Sequence, residues 1–357
     1  MEKKLRIALV GVGGMGSHHL FSSHAHNPRV EIVALCDIIE ERAANAAKRL
    51  ERDDIRIYTD YKKMIDTEKL DAVDIATPNY LHSPIAVYAM ERGLHVFCEK
   101  PDAVSVEAAS AMKEASEKYD RVLMVMRNNR YYANSKYLKK FINEGGCGDI
   151  YCGRCGWIRR RGIPGKGGWF TTKEQSGGGP LIDLGVHMID LSMWLMGNPT
   201  PVSVSGCTFN KFADNDAKSD SEHSKFGDAN AEGTFDVEDL AMGFIRFDNG
   251  ACLQIEFSWA SNIDHEERFV ELRGTKAGIK WCDNGDAYIY GEEDGRLTTD
   301  RHQTSDMGNG HDYALRHFVN IVLDGADKDY VPQQGLNMIK ILEAIYESAK
   351  TGREVIL

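Results

Sequence analysis

Asp183 and His187 stand four residues apart in the stretch Ser176-Gly-Gly-Gly-Pro-Leu-Ile-Asp183-Leu-Gly-Val-His187-Met-Ile-Asp190. On a helix that spacing puts a carboxylate and an imidazole on one face, and Asp190 continues the row. Imidazole, with an ordinary pKa of about 6.5, suits removal of a proton from a hydroxyl. A carboxylate beside it can orient either the ring or the molecule attacked. Far upstream, Glu99-Lys100-Pro101 closes an apolar run. Proline disfavours helix at the residue before it, so Lys100 is held extended, where an ammonium can hydrogen-bond a reacting hydroxyl. Each residue also fits a plainer part: a solvated lysine before a helix, and a buried histidine capped by Asp183 or Asp190.

A second group of residues could hold a dinucleotide. The run Leu5–Val10 leads directly into Gly11-Val12-Gly13-Gly14-Met15-Gly16, and Asp37 ends the next apolar run, 21 residues after Gly16. The first glycine permits a tight turn, the second lets pyrophosphate approach the backbone, and the third allows close helix packing. The helix that follows offers unpaired N–H groups to the phosphates. A carboxylate at Asp37 accepts from ribose hydroxyls and repels a 2′-phosphate, which favours NAD over NADP. Ile38 and Ile39 bring no basic group, and Arg42 is the nearest cation. In open α/β sheets ligands lie beyond the carboxyl ends of the strands. Two such ends carry unusual residues: Thr77-Pro78-Asn79-Tyr80-Leu81-His82 and Glu99-Lys100-Pro101.

Together these motifs resemble the glucose-fructose oxidoreductase/inositol dehydrogenase/MocA (Gfo/Idh/MocA) family. The resemblance runs on through Asn128-Asn129-Arg130-Tyr131, the Asp183–His187 segment, Glu238-Asp239 and Gly274-Thr275-Lys276, so it covers nearly the whole chain. It implies a Rossmann domain, a second α/β domain with a large open sheet, and a homodimer or homotetramer built through that sheet. The implied activity is oxidation of a ring secondary hydroxyl of a sugar, a glycoside (C3 included) or a cyclitol. His187 is then the general base, Lys100 polarises the hydroxyl, and Asp183 positions the substrate or the histidine. The cofactor contacts implied are Gly11, Gly13, Gly14, Met15, Gly16, Asp37, Thr77, Pro78, Asn79, His82, Glu99, Lys100 and Asn128. Substrate contacts fall on Lys100, Arg130, Tyr131, Trp157, Arg159, Trp169, Asp183 and His187. Two other activities suit the same scaffold: a glycosidase working through transient C3 oxidation and elimination, and a non-catalytic sugar or dinucleotide sensor. The intact Lys100/Asp183/His187 set argues against the sensor.

Residues 157–170 read as the place to seek specificity. Trp157 and Trp169 can stack on the apolar face of a pyranose, and Arg159 can hydrogen-bond hydroxyls or a carboxylate. Glycines around Lys166 would let this loop move as a lid. A basic turn tucked against an oligomer interface fits equally well.

The elements that must position these groups follow from periodicity. Short continuous runs at Leu5–Val10, Val30–Cys36, Asp71–Ala76, Leu94–Cys98 and Val122–Met126, with a weaker one at Ile55–Tyr58, are those of parallel strands covered on both faces. Helical stretches at Glu40–Leu50 and Val104–Lys118 alternate with them, which predicts a doubly wound sheet. After Ile150 the pattern changes. Ala251, Leu253, Ile255, Phe257 and Trp259 alternate with polar residues, and Asp248-Asn249-Gly250 joins that run to Leu240–Phe247 as a hairpin. The fold expected is α/β, a Rossmann sheet over 1–126 and a mainly antiparallel open sheet over 127–357. Helices are expected at His311–Leu323 and 334–350, the latter packing back on the first domain.

Composition bounds the rest. The chain has 357 residues, 54 acidic and 43 basic, and a net charge of −11. That balance disfavours nucleic acid as a partner. No run approaches the roughly 18 apolar residues of a membrane span, and no signal-peptide core is apparent. Eight cysteines are too sparse for a disulfide scaffold, so a cytoplasmic setting is expected. Cys147, Cys152 and Cys155 lack a second ligand pair, and no metal is assigned. Of His18, His19, His24 and His26, one is expected near the cofactor and the rest at the surface; His311 starts a late helix. Residues 210–239 hold nine acids and three lysines, more than half the net charge, in one long connection of unassigned role.

Overall fold

The computed structural model describes residues 3–213, 227, 229–304 and 307–357. Two compact units emerge: Met1–Met126 with His311–Ile339, and Arg127–Gly310 with Lys340–Leu357. The expected continuous block 127–357 is therefore interrupted, since 311–339 clusters with the first unit. The centre of the acidic stretch, 214–226 and 228, lies outside the described residues.

In the first unit six parallel strands, β1 (Leu5–Val10), β2 (Val30–Cys36), β3 (Arg56–Tyr58), β4 (Ala72–Ile75), β5 (His95–Cys98) and β6 (Leu123–Val125), form a sheet of order β3-β2-β1-β4-β5-β6. The order reverses between β1 and β4, the switch point at which such sheets bind ligands. Register aligns the carboxyl ends: Val10 pairs with Cys36 and Ile75, Ile75 with Cys98, and Cys98 with Val125. Gly11, Asp37, Ala76 and Glu99 consequently leave the sheet along one edge. The helices α1 (Gly14–Ser22), α2 (Glu40–Arg49), α3 (Tyr61–Thr67), α4 (His82–Glu91) and α5 (Val106–Lys118) follow the strands in turn. Apart from the buried Asp74 on β4, strand interiors are apolar on both faces, with Leu5, Ile7, Ala72, Val73 and Phe97 at zero exposure.

The second unit is built on a nine-stranded sheet: β7 (Ile150–Ile158), β8 (Pro201–Phe209), β9 (Leu240–Phe247), β10 (Cys252–Ser258), β11 (Glu267–Gly274), β12 (Gly278–Cys282), β13 (Asp286–Glu293), β14 (Arg296–Gln303) and β15 (Val355–Ile356). Pairing is antiparallel except between β7 and β10, which run parallel. The β9–β10 hairpin turns at Gly250, whose φ of 83° suits glycine. Every inward residue of the alternating run, Ala251 through Trp259, is buried. The helices α6 (Ala133–Asn143) and α7 (Val186–Leu195) pack on that inner face. Phe209 and Tyr290 lie partly exposed on the outer one. The chain closes with α8 (Gly310–Asp324) and α9 (Pro332–Thr351).

Candidate active site

The glycine loop owes two of its glycines to the backbone of its own unit. Gly11 has a φ of 88°, and a side chain there would press on the Ala76 carbonyl. A side chain on Gly16 would overlap the carbonyl oxygen of Gly11. Gly13 and Gly14 face open space, with nothing within 4 Å of where a Cβ would stand. That gap lies at the N-terminus of α1, whose first turn has no acidic residue and whose cap has no side-chain partner. Met15 flanks it, half-buried. Asp37 is buried and accepts from the amides of Val12 (2.8 Å) and Ile39 (2.9 Å), with lone pairs left over. Ile38 beside it is 85% exposed. Thr77 keeps a buried hydroxyl without a hydrogen-bond partner. A cradle a Cβ would fill, an orphaned hydroxyl and a ribose-ready carboxylate together fit a dinucleotide. Pro78 leads into a 3-10 turn that buries Asn79. His82 departs from expectation: at zero exposure its ring nitrogens face the carbonyls of Pro101 (2.8 Å) and Thr77 (2.9 Å), so it ties two loops together and has no open edge for a ligand.

Histidines expected at the surface are buried beneath this loop. His19 has zero exposure and lies between Asp74 (Nδ1, 3.0 Å) and Glu99 (Nε2, 2.8 Å), while His24 reaches Asp74 through Nε2 at 2.7 Å. Burial alone would lower the His19 pKa, but the two carboxylates outweigh it and raise it to about 10. For Glu99 burial is likewise overruled, here by His19, and its pKa falls to about 2. The other Glu99 oxygen accepts from the backbone N–H of Lys100 at 3.0 Å. The ring of His311 stands 5.2 Å from that of His18 within this unit, and burial lowers its pKa to about 4.

In the second unit, Asp183 sits in a π-helical turn, Leu181–Gly185, that opens α7. Such turns recur at functional sites. From 181 to 190 every side chain is buried except Asp183 and His187, which are half-exposed. The three glycines before them answer to three constraints. Gly177 has a φ of 86°, a side chain on Gly178 would strike the Tyr346 hydroxyl, and one on Gly179 would strike the Glu238 carbonyl. Buried Glu238 accepts from the amides of Gly179 (3.0 Å) and Leu181 (3.1 Å) and from the Tyr346 hydroxyl (2.9 Å), fixing the start of the turn. Asp183 accepts from the indole N–H of Trp259 at 3.0 Å. Trp157 lies on the inner sheet face with its ring centroid 5.8 Å from that of His187. The guanidinium carbons of Arg159 and Arg268 stand 4.9 Å and 4.2 Å from the Trp157 ring centroid. Arg159 is buried, which lowers its pKa, and the Asp183 charge opposes that shift.

Several expected contacts turn out to be structural. Asp190 does not extend the exposed row: buried, it takes Arg130 in a two-pronged pair (2.8 and 2.6 Å) and Arg127 at 2.9 Å. Arg130 is thus committed to a carboxylate, and Tyr131 and Asn128 are buried with it. Trp169 stacks on Phe170 at 3.8 Å. Near Lys166, Gly167 (φ 78°) serves close packing: it abuts Asn230, whose amide donates to the Lys166 carbonyl at 2.9 Å. Cys152 and Cys155 fall on opposite faces of β7, the latter buried. Arg268, Trp259 and Tyr346 have no local sequence signal for their parts here, apart from the inward register of Trp259, and Glu238 was marked only by the resemblance.

Comparison with known proteins accords with this arrangement. Residues 5–127 match the oxidoreductase family model for an NAD-binding Rossmann fold, and residues 139–357 match its C-terminal alpha/beta domain. The chain is similar to D-glucoside 3-dehydrogenase of Escherichia coli K12, at 32% identity over 98% of this chain and 97% of that one. It also resembles 2,7-anhydro-N-acetylneuraminate hydratase of Mediterraneibacter gnavus, at 28% identity over 85% and 75% of the two. Among solved structures, levoglucosan dehydrogenase in complex with NADH and levoglucosan superposes with a TM-score of 0.84, at 25% identity over 99% of both chains. With both family models matched across its length, the chain belongs to the Gfo/Idh/MocA oxidoreductases, NAD-binding enzymes with a Rossmann fold and a C-terminal α/β domain.

Proposed function

We propose that the protein is an NAD-dependent dehydrogenase that oxidises a ring secondary hydroxyl of a sugar, glycoside or cyclitol, with C3 of a glucoside the leading candidate. One observation carries this reading: a carboxylate and an imidazole are the two accessible side chains of an otherwise buried segment, beside an aromatic ring and two arginines. His187 takes the hydroxyl proton on its imidazole. Asp183, oriented by Trp259, hydrogen-bonds the substrate, and Lys100 donates to the reacting oxygen. NAD, when bound, supplies the acceptor for the hydride that leaves the carbon. Similarity to D-glucoside 3-dehydrogenase supports the choice of carbon. The eight free cysteines support a reducing, cytoplasmic compartment, and the open outer face of the nine-stranded sheet supports a homodimer or homotetramer.

The test is a panel of pyranosides and inositols with NAD or NADP, following absorbance of the reduced cofactor. At least one compound should reduce NAD, and Lys100→Ala and His187→Ala should lose turnover while still binding NAD. Normal activity of both variants would overturn the roles. A second reading, glycoside cleavage through transient oxidation, is favoured by the relative named for a hydration. Release of an aglycone without net NADH would select it.

A further inference from the structure

We infer that His19 is a positioning residue for Lys100, acting through Glu99. A buried chain Asp74–His19–Glu99 holds the strand end that carries the lysine. The inference rests on the reading above that Lys100 acts in the reaction. Its geometry lies wholly within the first unit. Asp74 on β4 meets the Nδ1 side of the His19 ring at 3.0 and 3.1 Å, and Glu99 meets Nε2 at 2.8 Å. The remaining Glu99 oxygen receives the Lys100 amide at 3.0 Å. Asp74 and Glu99 are themselves buried. His19 also stands on α1, the helix that begins at the glycine loop. One imidazole therefore couples the cofactor cradle, a strand at the switch point and the backbone of Lys100.

Stability alone gives no reason for ionisable groups here. An apolar trio of similar volume would pack beside Phe97, whose ring centroid lies 5.8 Å from that of His19 in an edge-on arrangement, without desolvating three ionisable groups. An imidazole with a carboxylate on each nitrogen is doubly protonated, so both carboxylates stay anionic and fixed in direction. Other titratable groups facing the cluster are His24 on Asp74, His18 on the same helix, His311 from α8 and Lys100 beyond Glu99. Losing the imidazolium leaves Glu99 easier to protonate and its grip on the Lys100 amide looser.

The experiment compares the full-length parent, His19→Gln, Asp74→Asn, and His26→Ala as an exposed control. Turnover is measured on whichever pyranoside or inositol the parent oxidises fastest, and expressed per NAD-binding site. His19→Gln should lower kcat roughly ten- to a hundredfold, the equivalent of one charge-assisted hydrogen bond, with NAD affinity within about threefold of the parent. The acid limb of its kcat profile should move to higher pH. Asp74→Asn, which keeps the imidazole in place, should move the same limb by less. Hydrogen exchange needs no substrate: the Lys100 amide should exchange at least about tenfold faster in His19→Gln, while 95–98 and 5–10 stay protected. A purely structural histidine would lower the melting temperature and leave kcat per site, the pH limb and the Lys100 amide unchanged, and that result overturns the inference. Lys100→Ala separates the two levels. If it keeps full turnover, the role of Lys100 fails and the inference with it. If it loses turnover while His19→Gln and Asp74→Asn match the parent, only the inference fails.

Discussion

The indole N–H of Trp259 donates to the carboxylate of Asp183 at 3.0 Å from a position with no exposure. The alternation of β10 continues one residue past the strand, and that extra residue ends at the proposed site. A hydrogen bond to a charged group contributes about 1.5–3 kcal/mol, so the bond fixes which way the carboxylate points. Trp259→Phe keeps an aromatic ring but removes the donor. Its kcat/KM should fall about ten- to a hundredfold with NAD affinity unchanged, as steady-state kinetics and a cofactor fluorescence titration would report.

The loop glycines should separate folding from binding. Gly16→Ala places a methyl on the Gly11 carbonyl and should cost several kcal/mol, on the order of the larger core effects. Gly13→Ala meets no protein atom, so its melting temperature should stay within a few degrees of the parent. Its affinity for NAD should nevertheless drop at least about tenfold, because the methyl occupies the approach to the helix N-terminus. Thermal melts beside NAD titrations would separate the two effects.

Cofactor choice should turn on Asp37 and its exposed neighbour. The parent should prefer NAD over NADP by at least about a hundredfold in kcat/KM, since a 2′-phosphate would face a carboxylate. Asp37→Ser with Ile38→Arg should narrow or reverse that preference. The Val12 and Ile39 amides lose their carboxylate acceptor, so NAD turnover should fall as well.

Stability should carry the signature of the His19 cluster. The folded pKa of His19 is raised from 6.5 to about 10, so its contribution is complete below pH 6.5 and fades as pH rises towards 10. That of Glu99 is depressed from 4.5 to about 2, so its contribution is complete above pH 4.5 and fades as pH falls towards 2. The gap in melting temperature between parent and His19→Gln should be widest between pH 4.5 and 6.5 and narrow on both sides. A gap that is flat across pH 4 to 10 would contradict it.

The first sheet was legible in the sequence because parallel strands covered on both faces leave uninterrupted Val- and Ile-rich runs; β1 and β2 fall on the residues expected, and in the second sheet β9 does so through its hairpin signal. Asp183 and His187 were legible through a four-residue spacing. His19 and His24 were not, because a polar residue reads as surface unless its partners are known, and theirs lie 50 to 80 residues away. Arg130 and His82 misled for the same reason in reverse. Each sits in a motif that suggests a ligand, yet each is committed to another part of its own unit, Asp190 for the arginine and two carbonyls for the histidine. Trp259 was visible as an inward residue, but the reach of its indole nitrogen depends on the chain crossing that comes after packing.

The triple glycine has a consequence for how this sequence can drift. Gly178 is pinned by a hydroxyl on residue 346 and Gly179 by the main chain at residue 238, while Gly177 holds a φ of 86°. A lineage could lose the first of these restrictions by first shedding the tyrosine, whereas no single exchange elsewhere relieves the second. Related sequences should therefore show position 178 varying in step with position 346, and position 179 hardly varying at all.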